Sequence, residues 1–526
     1  MRSLLIGILL VALVLRVSAG LAWGLSFDAG YHLFVAKADS LHQFLRELSV
    51  DSHPPLHYVL LRWLPGPEIT RLGPRLPGIL ADVGTVAFVA WGLRWLRVGA
   101  PVVAAAAFTL AISHAETTIA VVVRSYALAT LGSTWAAIEL VRLVGGPPPR
   151  TPLWSWSRLV LAASLACWSL YASVFVLLAI AAAVVLTGPA AWRGLRAAWQ
   201  PLALIPVAVA GLGLAALVLF FSRTIGFGGN PHVGDHYPQV GESPLAYLAR
   251  GTANDLGFFT PLRLPPVVGL ALVLMASVAC VGVAVRCRAR APGRAVVLLT
   301  APLLWLGLAV AGWLGVYPFG GELRHQHVLL VPWLVAVAVA ADGVGLSVRH
   351  ARRWAVGGVL VATVVSGLSF LGPRLDDLGR SEWRWRADCA RLAALVEPGD
   401  VLYLTPFNGV AWAGADWSRR WRVVERYRSQ ADEFSVDSPP LTVLRPQAPF
   451  SFGRPPTEAE LAGVAADLRR RSLSGAWVLA LQGAPVGEGA RATDAVVAER
   501  CISAALQLRR RVLLDYGEAL LVAFAE

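Results

Sequence analysis

The chain has 526 residues, is 56% hydrophobic and only 15% charged, and has a mean hydropathy of +0.60. Soluble proteins carry roughly 25% charged residues, so a water-soluble globular enzyme is excluded. The net charge of +13 does not mark a nucleic-acid binder: the arginines gather in short clusters between apolar runs, as the positive-inside rule requires of cytoplasmic loops.

A bilayer-spanning helix needs about 20 apolar residues, and the sequence reads as about eleven of them. The first covers 4–24. Its apolar stretch is long and further spans follow, which favours a retained helix over a cleaved signal peptide. A polar segment, 25–73, comes next. Span two, 74–93, ends at the basic "LRWLR". Residues 101–141 read as an apolar hairpin broken near His114 and Glu116, giving spans three and four, with Arg124 several residues inside span four. A Pro-rich basic loop leads to 158–190, two short spans meeting near Tyr171. Span seven is 201–221, then a polar loop, 222–264. Spans eight to eleven are 265–285, 295–315, 327–346 and 355–371.

With the N-terminus in the cytoplasm, "LRWLR", the Pro-rich loop, Arg193 and Arg196, "RCRARAPGR" and "RHARRW" all face inward. The outer face receives 25–73, 222–264, "YPFGGELRHQ" and the C-terminal part. Lys37, Arg46, Arg62, Arg71 and Arg75 in the first outer loop are offset by Asp28, Asp39, Glu47, Asp51 and Glu68.

From residue 372 the character changes. "GDVLYL", "AWVLAL" and "RVLLDY…ALLVAF" read as strands. "EAELAGVAADLRRR" and "DAVVAERCISAALQLRRR" have helical apolar spacing. The expected fold is therefore an α-helical polytopic membrane domain, 1–371, followed by a soluble extracytoplasmic α/β domain, 372–526. An oxidising outer compartment permits a disulfide between Cys389 and Cys501.

The chemically capable residues fall on the outer side. Asp28, Tyr31, His32, Asp51, His53 and His57 lie in the first outer loop. His114, Glu116 and Arg124 lie near spans three and four, and Glu322, Arg324 and His325 in the last outer loop. Ionisable groups at a membrane boundary are expensive unless paired or used. His32 follows Asp28 by four residues and His57 follows His53 by four, a spacing that suits a metal on a helix face but is weak on its own. Pro54 and Pro55 fix φ and lack N–H donors. They suit the start of a short helix and force His53 out of helical geometry.

Five segments together carry a resemblance: "FDAGYHLFVA", "DSHPPLHYVLL", "TRLGPRLPGIL", "RSYAL" at Arg124–Leu128, and "YPFGGELRHQHVLLVPWL". In that order and spacing, over roughly residues 1–345, they resemble the C-type (GT-C) membrane glycosyltransferases. The closest subgroup is the protein O-mannosyltransferase-like and aminoarabinose-transferase-like enzymes. The chain departs from the pattern at Ala29, where the family usually has a glutamate beside the aspartate.

The resemblance implies a sugar donor carried on a polyprenyl phosphate in the bacterial cytoplasmic membrane. It implies a glycan, lipid or protein acceptor from the outer side, and transfer with inversion. Asp28 is then the base, with Asp51 as second acid and His53 beside it. Arg124, Tyr126, Arg324 and His325 hold the donor phosphate, since guanidinium grips phosphate oxygens through two parallel hydrogen bonds. No cofactor and no nucleic acid are called for, and a divalent metal is left open. A flippase for lipid-linked sugars and a non-catalytic membrane scaffold are the alternatives. A transporter typically shows inverted repeats and charges near mid-membrane; here no repeat is visible and the charges cluster at one face.

Overall fold

Proline opens helix after helix in this chain, where its missing N–H costs nothing and its fixed φ is already helical. The structure, a computed structural model, describes residues 2–22, 32–33, 35–36, 40–48, 53–64, 72–146, 151–199, 213, 237–259, 264–321, 323–345 and 357, with six strand segments between 401 and 525. The described helices are α1 (Arg2–Ala22), α2 (Leu41–Leu48), α3 (Leu56–Trp63), α4 (Leu76–Trp95), α5 (Ala100–Ile112), α6 (His114–Val121), α7 (Tyr126–Gly145) and α8 (Pro152–Ser169). They continue with α9 (Ser173–Thr187), α10 (Pro189–Ala197), α11 (Pro244–Phe259), α12 (Pro266–Cys287), α13 (Pro292–Trp313), α14 (Leu323–Gln326) and α15 (Leu330–Gly345). Single 3₁₀ turns, Gly73–Arg75 and His327–Leu329, lead into α4 and α15.

Six helices among the described residues are long and apolar enough to cross a membrane, and two bent pairs raise this to eight if each pair is one span. They match expected spans one, two, four, eight, nine and ten. The bent pairs are α5 with α6, at 51°, and α9 with α10, at 110°. Gly188, at φ 81°, forms the second bend. Spans seven and eleven, 201–221 and 355–371, lie outside the described residues. Val267 and Val278 on α12 are 75% and 72% exposed. Such apolar exposure along a helix suits lipid rather than water.

Two compact units divide the chain. Met1–Trp23, Glu47–Trp63 and Thr70–Leu378 form the first, and Gly24–Arg46, Leu64–Ile69 and Gly379–Glu526 the second. The core of the first is apolar, built from residues such as Val86, Leu93, Leu110, Ile180 and Leu304. Small residues set its closest approaches: a Cβ on Gly132 of α7 would lie 2.5 Å from the Ala166 amide nitrogen of α8.

Residues 101–141 break twice, not once. Ser113 ends α5, and its hydroxyl caps α6 by accepting from the Glu116 amide at 3.3 Å. A second break at 122–125 precedes α7. Arg124 therefore lies in a non-helical joint between helices, not inside a span as the hydropathy pattern had it.

Two buried arginines hold this broken segment. Arg16 of α1 is fully buried. It pairs with Asp82 of α4 and donates to the Ala111 carbonyl, and to the Leu110 carbonyl at 3.0 Å. The break after α5 takes away their usual helical partners, leaving only the Ser113 amide on the Leu110 carbonyl at 3.3 Å, and a helix end buried without partners is costly. Arg75, counted from sequence among the charges of the first outer loop, is 2% exposed. It donates to the Val121 carbonyl at 3.0 Å, at the end of α6, and to the Gly20 carbonyl near the end of α1. Glu116 on α6 is also buried, within electrostatic reach of Asp82 and Arg16. Removing one partner of a buried pair strands the other charge and typically costs about 3–5 kcal/mol. Arg16→Leu is thus expected to lower thermal stability in detergent sharply. The double variant Arg16→Leu/Asp82→Leu should recover most of the loss; equal instability of both would reject the pairing as its cause.

The strands lie in the second unit. They are β1 (Val401–Leu404), β2 (Glu433–Val436), β3 (Leu441–Leu444), β4 (Gly475–Leu481), β5 (Arg509–Asp515) and β6 (Ala519–Ala525). They form one sheet in the order β2-β3-β1-β4-β6-β5. β1 runs parallel to β3 and β4, and the other pairings are antiparallel. The four strands expected from sequence are present, and β2 and β3 are additional. The second expected helix does not reach Arg511, because Arg509–Arg511 belong to β5. The remainder of both expected helices, and Cys389 and Cys501, lie outside the described residues.

Candidate functional site

The Pro54–Pro55 pair does what its chemistry demands. Helix α3 starts directly after it, with the Val59 amide bonded to the Pro55 carbonyl at 3.0 Å, and His53 sits in a bend before it. From that corner the His53 Nε2 meets Arg124 Nη1 at 2.8 Å. A guanidinium only donates, so Nε2 accepts and the imidazole is neutral, with its proton on Nδ1. The His53 ring also stands edge-on to Tyr126, centroids 6.5 Å apart. Two segments 71 residues apart thus meet at the joint between α6 and α7.

A third segment closes the cluster. The Tyr126 ring tilts against His327, centroids 5.1 Å apart, and His327 Nδ1 lies 2.8 Å from the Arg324 carbonyl oxygen. The turn before α14 is fixed by its own sequence. Gly320, at φ 66°, packs on Gly251 of α11 where any Cβ would collide with backbone. Its carbonyl accepts from Asn254 at 2.9 Å, and Gln326 donates to the Pro318 carbonyl at 2.6 Å. Tyr317 donates to the His325 carbonyl at 3.0 Å, and its ring meets that of His325 edge-on. Burial pushes the Tyr317 phenol far above its usual pKa, Tyr126 and Tyr237 push it the same way, and Arg324 opposes them.

Of the predicted residues, His53, Arg124 and Tyr126 are therefore in direct contact. Arg324 joins them through its backbone carbonyl, bonded to His327, and its charge lies within electrostatic reach of Tyr317, while His325 packs on Tyr317. Asp28 and Asp51 lie outside the described residues. No group of three or more His, Cys, Asp or Glu placed to hold a metal is found among the described residues.

One histidine of the cluster escaped the sequence reading: His327 carried no signal beyond its place in "RHQHVLL". His57 was read among the chemically capable residues of the first outer loop and for its spacing from His53, but was given no role. It is 1% exposed, and its pKa is pushed down to about 3, first by burial and then by Arg124 and His53, with hydrogen bonding to the Val123 backbone opposing. Between that value and the ordinary 6.5 the unfolded chain holds a proton that the folded chain refuses. Stability is therefore full above pH 6.5 and is lost as pH falls toward 3, by up to about 1.4 kcal/mol per pH unit. Thermal unfolding followed from pH 7 to 4 should show this slope, and His57→Phe should flatten it. An unchanged slope in the variant would assign the acid sensitivity elsewhere.

Beside the cluster lies an apolar cavity of about 80 Å³ between α4, α7, α9, α13 and α15. Val328, next to His327, and Thr130, whose hydroxyl bonds the Tyr126 carbonyl at 3.1 Å, both line it. Ser133, Thr134 and Thr300 are its other polar lining residues. Cationic and aromatic groups thus adjoin an apolar hollow within the first unit. This arrangement suits an anionic head on an apolar tail.

No family model matches the chain, and no curated protein does. Among solved structures it is similar to ArnT from Cupriavidus metallidurans in the apo state. The identity is 14%, the match covers 98% of this chain and 97% of that one, and the TM-score is 0.56. ArnT from the same organism bound to undecaprenyl phosphate matches at 15% identity over the same shares, with a TM-score of 0.48. The apo comparison establishes an ArnT-like fold, the one the sequence resemblance implied.

Proposed function

We propose that the chain is an integral membrane glycosyltransferase that moves a sugar from a polyprenyl-phosphate donor to an acceptor on the outer side of the membrane, with inversion. The observation that carries the reading is the convergence of His53, Arg124, Tyr126, Arg324 and His327 beside the apolar cavity. The ordered motif resemblance and the ArnT-like fold support it.

In this reading the polyprenyl chain enters the cavity and the phosphate meets the two arginines. Each guanidinium offers planar paired donors to phosphate oxygens. The acceptor oxygen attacks the anomeric carbon from the face opposite the phosphate. The bond from that carbon to the phosphate oxygen breaks, its electron pair stays on polyprenyl phosphate, and the acceptor proton passes to Asp28. Asp51 is the reserve acid. Donors fixed where charge develops are the largest single source of catalysis at such sites.

The N-terminus is cytoplasmic and the C-terminal α/β domain, 372–526, extracytoplasmic. Residues 1–371 form the transmembrane catalytic domain. The alternatives, flippase and scaffold, predict no chemistry. Purified chain in detergent, given a polyprenyl-phosphate sugar and membrane extract as acceptor source, should release free polyprenyl phosphate, detected by mass spectrometry. Movement of intact donor across a vesicle with no release would overturn the enzyme reading in favour of a flippase.

A further inference from the structure

We propose that His327 recognises a hydroxyl group of the sugar being transferred, through the lone pair on its Nε2. The inference rests on the reading of the chain as a polyprenyl-phosphate-dependent glycosyltransferase and adds a residue that reads the sugar.

The His327 side chain is 1% exposed. Its Nδ1 lies 2.8 Å from the Arg324 carbonyl oxygen. A carbonyl only accepts, so Nδ1 carries the proton and donates. The neutral ring then holds its lone pair on Nε2, and the backbone bond fixes both tautomer and ring orientation. Nε2 is itself buried and has no hydrogen-bond partner among the described residues. A buried polar atom left unmade is costly, and proteins satisfy nearly all of them. This one, on a ring packed against Tyr126 and next to Val328, which lines the apolar cavity, is an atom that a ligand completes.

The chemistry of the neighbours selects the ligand group. Arg124 and Arg324 are donors only. A phosphodiester presents acceptors only, so it satisfies the arginines and has nothing to give Nε2. A hydroxyl does. In a polyprenyl-phosphate sugar, the hydroxyls nearest the phosphate are those on the sugar ring. His327 therefore distinguishes the loaded lipid from the bare polyprenyl phosphate left after transfer. Its contact is lost when the sugar departs, which weakens the hold on the spent carrier.

The test uses the full chain in detergent and two kinds of probe: undecaprenyl phosphate, and undecaprenyl phosphates bearing a hexose or a pentose. Wild type should bind at least one sugar-bearing lipid more tightly than the bare lipid. His327→Phe should weaken that lipid on the order of tenfold, the usual scale for a lost buried hydrogen bond, and weaken the bare lipid much less. His327→Gln, which restores an acceptor oxygen, should recover part of the preference. A wild-type preference lost by removing a single ring hydroxyl from the probe gives the same answer without any variant. Equal weakening of both probes by His327→Phe means a structural role and overturns the assignment, as does an unchanged preference. Wild type that binds both probes alike overturns the His327 assignment and leaves the glycosyltransferase reading standing. Wild type that binds neither overturns the reading, and the assignment falls with it.

Discussion

Replacing Asp28 by Asn is expected to reduce sugar transfer by roughly 10²–10⁴-fold, the usual contribution of a positioned general base, while leaving folding and donor binding intact. The swap is nearly isosteric and removes only charge and basicity. Three described groups of the cluster are unsuited to the role. Arg124 and Arg324 donate only, and the His53 Nε2 lone pair is already committed to Arg124 at 2.8 Å. The family pattern pairs the aspartate with a glutamate, but this chain has Ala29, so no adjacent acid is available to substitute. Turnover and polyprenyl-phosphate-sugar affinity, measured together, separate base from ligand. Near-normal turnover in Asp28→Asn would move the role to Asp51, whose own Asn variant should then carry the loss.

The parts of this molecule that follow from local chemistry were legible in the sequence. Among the described residues, apolar runs of sufficient length became helices, Pro54–Pro55 set the start of α3, and four short apolar runs after residue 400 became strands. The ordered motifs located His53, Arg124 and Tyr126, which the fold brings into contact. What escaped was the role of each charge, because that depends on partners distant in sequence. Arg16 lies within span one and was given no role there; Asp82 and the carbonyls of Leu110 and Ala111 supply its reason. Arg75 read as a loop charge for the same reason, and Arg124 as a span residue because hydropathy averages over the 122–125 joint. The state of His327 is set by one backbone carbonyl, and no pattern of residue types encodes a tautomer.

Arg124→Lys keeps the positive charge, yet it is expected to lower kcat/KM by about 10–100-fold, the range for loss of hydrogen bonds to a charged group. In the structure one Arg124 nitrogen, Nη1, is spent on His53. A guanidinium carries its five N–H donors in a rigid fork, a geometry able to serve His53 and a phosphate at once. An ammonium on a flexible stem is a point charge without that fixed geometry. The lysine variant must therefore sacrifice either the corner that holds His53 or the grip on the donor. A double-mutant cycle tells which. If Arg124 acts through His53, the loss in Arg124→Lys/His53→Ala should fall short of the sum of the single losses by about 0.5–3 kcal/mol. If it acts on phosphate alone, the losses add, and affinity for undecaprenyl phosphate falls in Arg124→Lys but not in His53→Ala. A lysine variant equal to wild type in both turnover and lipid affinity would remove Arg124 from the phosphate site. Arg324 would then remain as the proposed guanidinium for the leaving group, and the pocket would have to be rebuilt around the 323–327 turn.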